Sequence, residues 1–174
     1  MAPTQTALII PIPQAEPAVA DLRARFDRSF TWGVPAHVTI CFPFLPPAEI
    51  NQAVLTAVRE TVRTVPRFEL TLTGPAWFGD RVLWLAPEPD APLRALIVAI
   101  CARFPQARPY DGEFDDIVPH LTVGHDQPPG VLHAAADTVA TRLPVAAPIT
   151  ALRLIAGRPE PDGDWQTLAE FPLG

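Results

Sequence analysis

The sequence predicts an α+β fold made by duplication, and three observations carry that prediction. Two tetrapeptides share the pattern His-x-Thr-x, His37-Val38-Thr39-Ile40 and His120-Leu121-Thr122-Val123, offset by 120 − 37 = 83 residues in a chain of 174. Around each, the same order of elements recurs: helix, loop, motif strand, proline break, helix, strand, strand. Between the breaks, apolar residues fall either at alternate positions or at helical spacing. Two lobes built this way set equivalent strands side by side about a pseudo-twofold axis. Outside the motifs the repeat is one of pattern rather than residue identity.

The elements follow in order. Residues 5–12 read as a strand with Pro11 near its end, where a missing N–H is tolerated. Residues 15–28 place Val19, Leu22 and Phe26 on one helical face among Asp21, Arg23, Arg25 and Asp27. A loop over 29–35, containing Trp32 and Gly33, leads into the motif strand 36–42. Pro43, Pro46 and Pro47 stop that strand and open a helix over 47–64, because proline suits a first helical turn. Residues 67–73 alternate apolar and polar side chains, as a half-buried strand does. Gly74-Pro75 predicts a turn, Trp77 and Phe78 start another strand, and Gly79-Asp80 leads into a strand over 81–86.

The second half repeats the plan. Leu93, Leu96, Ile97, Ile100 and Phe104 line a helix over 90–104, and a long loop over 105–118 leads to the second motif. Gly124 ends that strand's regular part. Pro128-Pro129-Gly130 turns the chain into an alanine-rich helix over 131–142, closed by Pro144. Final strands over 149–156 and 164–171 flank a hairpin loop rich in Pro, Asp and Gly.

Composition narrows the function classes. The chain is 48% hydrophobic and 18% charged, and its 23 prolines are scattered as punctuation rather than massed. One domain over 1–174, made of two intertwined lobes, is the expected organisation. Net charge is −6 and no basic run occurs, whereas binding along a nucleic-acid backbone requires a basic stripe. No long nucleic acid and no membrane are expected as partners, and the chain is expected to be a monomer. Pro11 and Pro13 interrupt the apolar run 7–10 and no basic region precedes it, so a signal peptide is not expected. Cys41 and Cys101 are too few for a disulfide framework and fit a reducing cytoplasm.

The chemistry lies in the tetrapeptides. Strand alternation puts His and Thr on one face and the two aliphatics on the other, so each strand is a rigid mount for an imidazole and a hydroxyl. The chain has only four histidines, and a chance match after any one is expected about a per cent of the time. A single copy reads equally well as a strand with a satisfied histidine; the pair does not. Two imidazoles across a cleft can divide acid and base roles near neutrality, while the hydroxyls donate to phosphoryl oxygens. Neither a metal nor another cofactor is required.

On these motifs the chain resembles the 2H phosphoesterase superfamily, and within it the 2′,5′ RNA ligase-like branch, over nearly its whole length. The resemblance implies a bilobal α+β fold with antiparallel sheets around a central cleft and helices outside. It implies that His37 and His120 are catalytic and that Thr39 and Thr122 bind phosphate. The activity it implies is hydrolysis or formation of 2′-linked phosphodiesters, or opening of cyclic phosphates, on a small nucleotide or RNA end. Two alternatives stay open: a module that binds a nucleotide or phosphometabolite without turnover, and a biosynthetic enzyme reusing the fold.

The flanks of the motifs are unequal. Many members carry Arg three residues beyond the second Thr; here that residue is His125, answered at the first motif by Phe42. Strict alternation turns both away from the cleft unless the strands bend after Cys41 or Gly124. The same alternation points Cys41 into the cleft, as a small apolar filler rather than a nucleophile. Phe44, Tyr110 and Phe114, with Trp32, are candidates either to stack on a base or to pack. Asp115, Asp116, His120, His125 and Asp126 cluster in sequence, but without metal-ligand spacing the acids read as a solvated loop and turn. His133 reads as a surface residue.

Overall fold

The computed structural model describes residues 1–113 and 116–174; Phe114 and Asp115 lie outside the described residues. Among the described residues, the elements are β1 (Gln5–Pro11), α1 (Glu16–Phe26), the single-turn α2 (Arg28–Thr31), β2 (His37–Cys41), α3 (Gln52–Val62), β3 (Phe68–Phe78) and β4 (Val82–Glu88). They continue as α4 (Ala91–Arg103), β5 (Leu121–His125), α5 (Pro129–Ala140), β6 (Val145–Ile149), β7 (Ala151–Gly157) and β8 (Gln166–Pro172). The strands form two antiparallel sheets, ordered β2-β1-β7-β8 and β5-β4-β3-β6. This is the α+β duplication that the paired motifs predict. Both motif strands are edge strands, each beside the strand that precedes its helix, and the two lie against one another.

The lobes exchange material instead of following one another. Thr150 alone separates β6, at the far edge of the second sheet, from β7, which enters the first sheet beside β1. The helices cross over too: α1 packs on β5 of the opposite sheet, and α4 packs on β2. Each motif strand is thus backed by a helix from the other half of the pattern. The main core runs through both sheets, from Leu8 and Ile10 to Leu83, Leu85 and Leu121. Ala7 and Ile9, on the opposite face of β1, join Val34, Ile155 and Trp165 in a smaller cluster. A strand buried on both faces explains why β1 reads as a continuous apolar run.

Several elements differ from expectation for local reasons. Gly74 and Pro75 make no turn; β3 runs through them, with a register irregularity between Leu72 and Pro75 that accommodates the missing N–H. The helix expected from residue 47 is split into a single 3₁₀ turn over Pro47–Glu49 and α3 from Gln52, where the Asn51 side chain accepts from Val54 N at 3.1 Å. The expected loop 29–35 contains most of α2, capped by Asp27. Beyond Pro144 the chain forms β6, a strand that its short Val-Ala-Ala-Pro-Ile sequence conceals.

Candidate active site

Alternation is broken at the same point in both motif strands. Thr39 pairs with Ile9 and Cys41 with Leu8, so Ile40 is the extra residue of a β-bulge. Thr122 pairs with Trp84 and Gly124 with Leu83, so Val123 is its counterpart. One extra residue reverses the face taken by every later side chain. Cys41 therefore turns into the core, not the cleft, with Sγ donating toward Pro43 O at 3.6 Å and Ala107 O at 3.7 Å. Burial pushes its thiol up to about 12, which leaves it protonated and inert. Phe42 and His125 swing into the cleft instead. Gly124 takes the core-facing place because nothing larger fits: a Cβ there would lie 2.7 Å from Phe26 Cβ and 3.1 Å from Leu132 Cδ2.

The cleft between the sheets has a volume of about 640 Å³ and is lined by His37, Thr39, His120 and Thr122. Each histidine donates from Nδ1 to the carbonyl two residues earlier, His37 to Pro35 and His120 to Val118, both at 2.7 Å. That bond fixes the tautomer and leaves Nε2 as the acceptor nitrogen. His37 Nε2 lies 3.2 Å from Thr39 Oγ1. Burial lowers the His37 pKa to about 4; the Pro35 carbonyl and Asp27 oppose this, while the charges of Arg23 and His120 add to it. Burial lowers His120 as well, against the Val118 carbonyl. Its ring meets Phe78 edge-on at 4.9 Å and lies 5.9 Å from Trp84. The Tyr110 hydroxyl bonds Thr39; burial raises its pKa to about 12, so it stays a neutral partner.

One end of the cleft is charged. Asp27, at the α1–α2 junction, accepts from Ser29 N at 3.0 Å and from Arg23 Nε at 2.9 Å. Burial pushes its carboxyl up, but His125, Arg23 and Ser29 prevail and hold it at about 2. His125 Nδ1 lies 3.1 Å from Asp126 Oδ2, and its Nε2 lies 3.6 Å from Asp27 Oδ1 and 3.3 Å from Arg28 N. Asp27 raises the His125 pKa most, burial works against it, and Asp126 raises it further. Arg28 and Arg81 both reach Asp126, at 3.0 and 2.6 Å.

The other wall is apolar. Trp32 and Trp165 stack at 6.4 Å and 19°, and Phe42 meets Trp165 edge-on at 6.0 Å. Ile9, Val34 and Ile155 complete this surface. Trp165 Nε1 is spent on Arg158 O at 2.8 Å, so the wall offers flat area rather than donors.

Of the residues singled out in sequence, His37, Thr39, His120, Thr122, Tyr110, His125 and Trp32 meet in this cleft. Cys41 and Phe44 do not. Phe44 is buried in the core, edge-on to Phe104 at 5.1 Å. Phe114 lies outside the described residues. Asp116 pairs with Arg94 at 3.0 Å, and among the described residues no three His, Cys, Asp or Glu side chains gather as a metal site. His133 is exposed on α5 against Trp77. Strict alternation turns Phe42 and His125 away from the cleft, and the bulges supply the bend that brings them in; Trp165 and Asp27 carry no local signal and arrive through the chain crossover. Among the described residues no helix is long and apolar enough to cross a membrane.

Solved structures share this fold. E. coli LigT complexed with NADP+ matches with a TM-score of 0.62 at 21% identity, over 99% of both chains. E. coli LigT complexed with 3′-AMP gives 0.61 at 19% over 99% of both, and TT0787 of Thermus thermophilus gives 0.61 at 18% over 97% of both. At such identities the likeness is one of fold. No curated protein matches the chain in sequence. The sequence pattern that defines the 2′-5′ RNA ligase superfamily does match it, from residue 11 to residue 159. That span takes in both bulged motif strands, and by it the chain belongs to the 2′-5′ RNA ligase superfamily.

Proposed function

We propose that the protein is a metal-independent phosphodiesterase that hydrolyses 2′,5′-linked or 2′,3′-cyclic nucleotides by two-histidine acid/base catalysis. The observation that carries this reading is the pair of cleft imidazoles, each with Nδ1 spent on a backbone carbonyl and each two residues from a threonine in the same cleft. One histidine takes a proton from water as its oxygen bonds to phosphorus. The other gives a proton to the 2′ or 3′ oxygen as that P–O bond breaks. The Thr39 and Thr122 hydroxyls donate to the non-bridging oxygens, where negative charge accumulates.

The unequal cleft supports a nucleotide. A nucleobase lies against Trp32, Phe42 and Trp165, since stacking needs only a flat apolar face. E. coli LigT has been solved with 3′-AMP, ATP and NADP+, which agrees with a nucleotide of modest size. The net charge of −6 favours such a ligand over an extended strand. We read the chain as one folded unit working as a monomer in the cytoplasm, where its two free thiols stay reduced.

The test is a panel of 2′,3′-cyclic and 2′,5′-linked nucleotides incubated with the protein and EDTA, with products read by mass spectrometry. Ring-opened or cleaved monophosphates are the expected result. Saturable binding without any product would replace this reading with that of a binding module.

A further inference from the structure

The two motif histidines are held by one device, used twice. In both, the carbonyl two residues ahead of the histidine receives its Nδ1 proton at 2.7 Å. In both, the carbonyl three residues ahead, Val34 O or Ile117 O, accepts from an arginine on the preceding long helix. Arg23 Nη2 of α1 reaches Val34 O at 3.0 Å, and Arg94 Nη1 of α4 reaches Ile117 O at 3.4 Å. Both arginines are oriented by an aspartate one helical turn away, Arg23 by Asp27 at 2.9 Å and Arg94 by Asp90 at 2.7 Å. Core packing alone does not explain this coincidence, because Arg23 is 1% exposed and Arg94 is 38% exposed.

We infer that Arg23 and Arg94 are positioning residues: each pins the peptide segment ahead of a motif histidine, so that the next carbonyl fixes the imidazole tautomer and turns Nε2 to the cleft. A guanidinium suits this task because its fork can hold a carboxylate and a carbonyl at once in one plane. At the first motif the segment is tied on both sides of Pro35, since Ala36 N donates to Glu16 Oε1 at 2.7 Å. Glu16, Arg23 and Asp27 lie seven and then four residues apart, which places them on one face of α1. At the second motif Arg94 also holds Asp116 at 3.0 Å, one residue before the carbonyl it grips. The chain entering each edge strand is thereby held by a helix from outside the sheet. The kinetic part of this inference rests on the phosphodiesterase reading; the tautomer part does not.

The experiment is ¹⁵N NMR of histidine-labelled protein at neutral pH, where the ring nitrogen shifts separate the two tautomers. Arg94→Met is the leading variant, because a half-exposed arginine can be removed without emptying the core. Wild-type His37 and His120 are expected to be wholly Nδ1-protonated when neutral. In Arg94→Met, His120 becomes a mixture of tautomers while His37 keeps its wild-type shifts, and kcat falls about tenfold at unchanged KM. Arg94→Lys recovers part of the loss, since lysine supplies charge without the fork. Arg23→Met, checked for folding by circular dichroism, does the converse if it folds; if it does not, the Arg94 variants decide alone. An unaltered His120 tautomer in Arg94→Met, or equal change at both histidines, overturns the inference. A protein that turns over no substrate, yet shows the selective tautomer change, overturns only the phosphodiesterase reading.

Discussion

The surroundings of His37 and His120 are two versions of one design, one built into the core and the other left on the surface. Both rings stand at edge strands, give Nδ1 to a carbonyl two residues back and sit before a bulge. Behind His37, however, Arg23 and Asp27 are sealed from solvent, whereas behind His120 the corresponding Arg94 and Asp90 are about two-fifths exposed. Beyond the bulges the first side supplies Phe42 to an apolar wall and the second supplies His125 to a charged end. The two halves are alike in what orients the imidazoles and unlike in what lines the rest of the cleft. On the proposed reading the two halves share the catalytic roles and divide the recognition roles.

The largest expected effect treats the halves as equal. His37→Ala and His120→Ala each lower turnover by about 10²–10⁴-fold, the range for losing a general acid or base, with thermal melts that stay cooperative. A variant that keeps full turnover would show that its half of the pair is not catalytic.

The next separates the halves. Arg23→Met breaks a buried ion pair and leaves Asp27 without its nearest cation, which costs about 3–5 kcal/mol. Arg94→Met removes exposed pairs and costs about 1 kcal/mol or less. Urea unfolding of both variants measures the gap, and equal losses would deny that only one brace is part of the core.

The residues after the bulges provide a smaller contrast. Gly124→Ala forces a methyl against Phe26 at the end of α1 and lowers stability by about 1–3 kcal/mol. Cys41→Ala only opens space in the core and costs about 1 kcal/mol. The disturbance at Phe26 also reaches Asp27, so Gly124→Ala weakens the charged end of the cleft as well. Melting temperatures rank the two variants.

The smallest effect is one of sign in pH. The folded pKa of His37 is below its unfolded value, so its neutral form stabilises the protein fully above about pH 6.5, and this is lost as pH falls toward about 4. His125 is shifted the other way, so its contribution is present below about pH 6.5 and is lost as pH rises through its raised folded value. His125→Gln therefore costs more stability at about pH 5 than at about pH 8, and melting curves at the two values check it.

Much of this was legible in the sequence, for reasons that differ by residue. His37, Thr39, His120 and Thr122 share a face by strand alternation, and alternation holds up to the second residue of each pair. It fails one step later, because a bulge is a single unpaired residue and neither Ile40 nor Val123 differs from an ordinary strand aliphatic. Gly124 is the one sign of trouble, since a glycine inside a strand marks a close approach. Arg23 reads as a member of the polar face of α1. It is buried because α1 packs on β5 while the segment from Asp27 to Ala36 folds back over its charged side, a contact that no local pattern encodes. Trp165 lies 165 − 37 = 128 residues beyond His37 and joins its wall only because β7 and β8 return to the first sheet.

The most direct test of the central claim is the pH dependence of kcat/KM on a 2′,3′-cyclic nucleotide in the presence of EDTA. Two free-enzyme histidines, both lowered by burial, predict a bell whose maximum lies on the acid side of about pH 6.5, and whose limbs belong to the coupled pair. A rate that climbs steadily into the alkaline range, or that disappears with the chelator, would contradict two-histidine catalysis in this cleft.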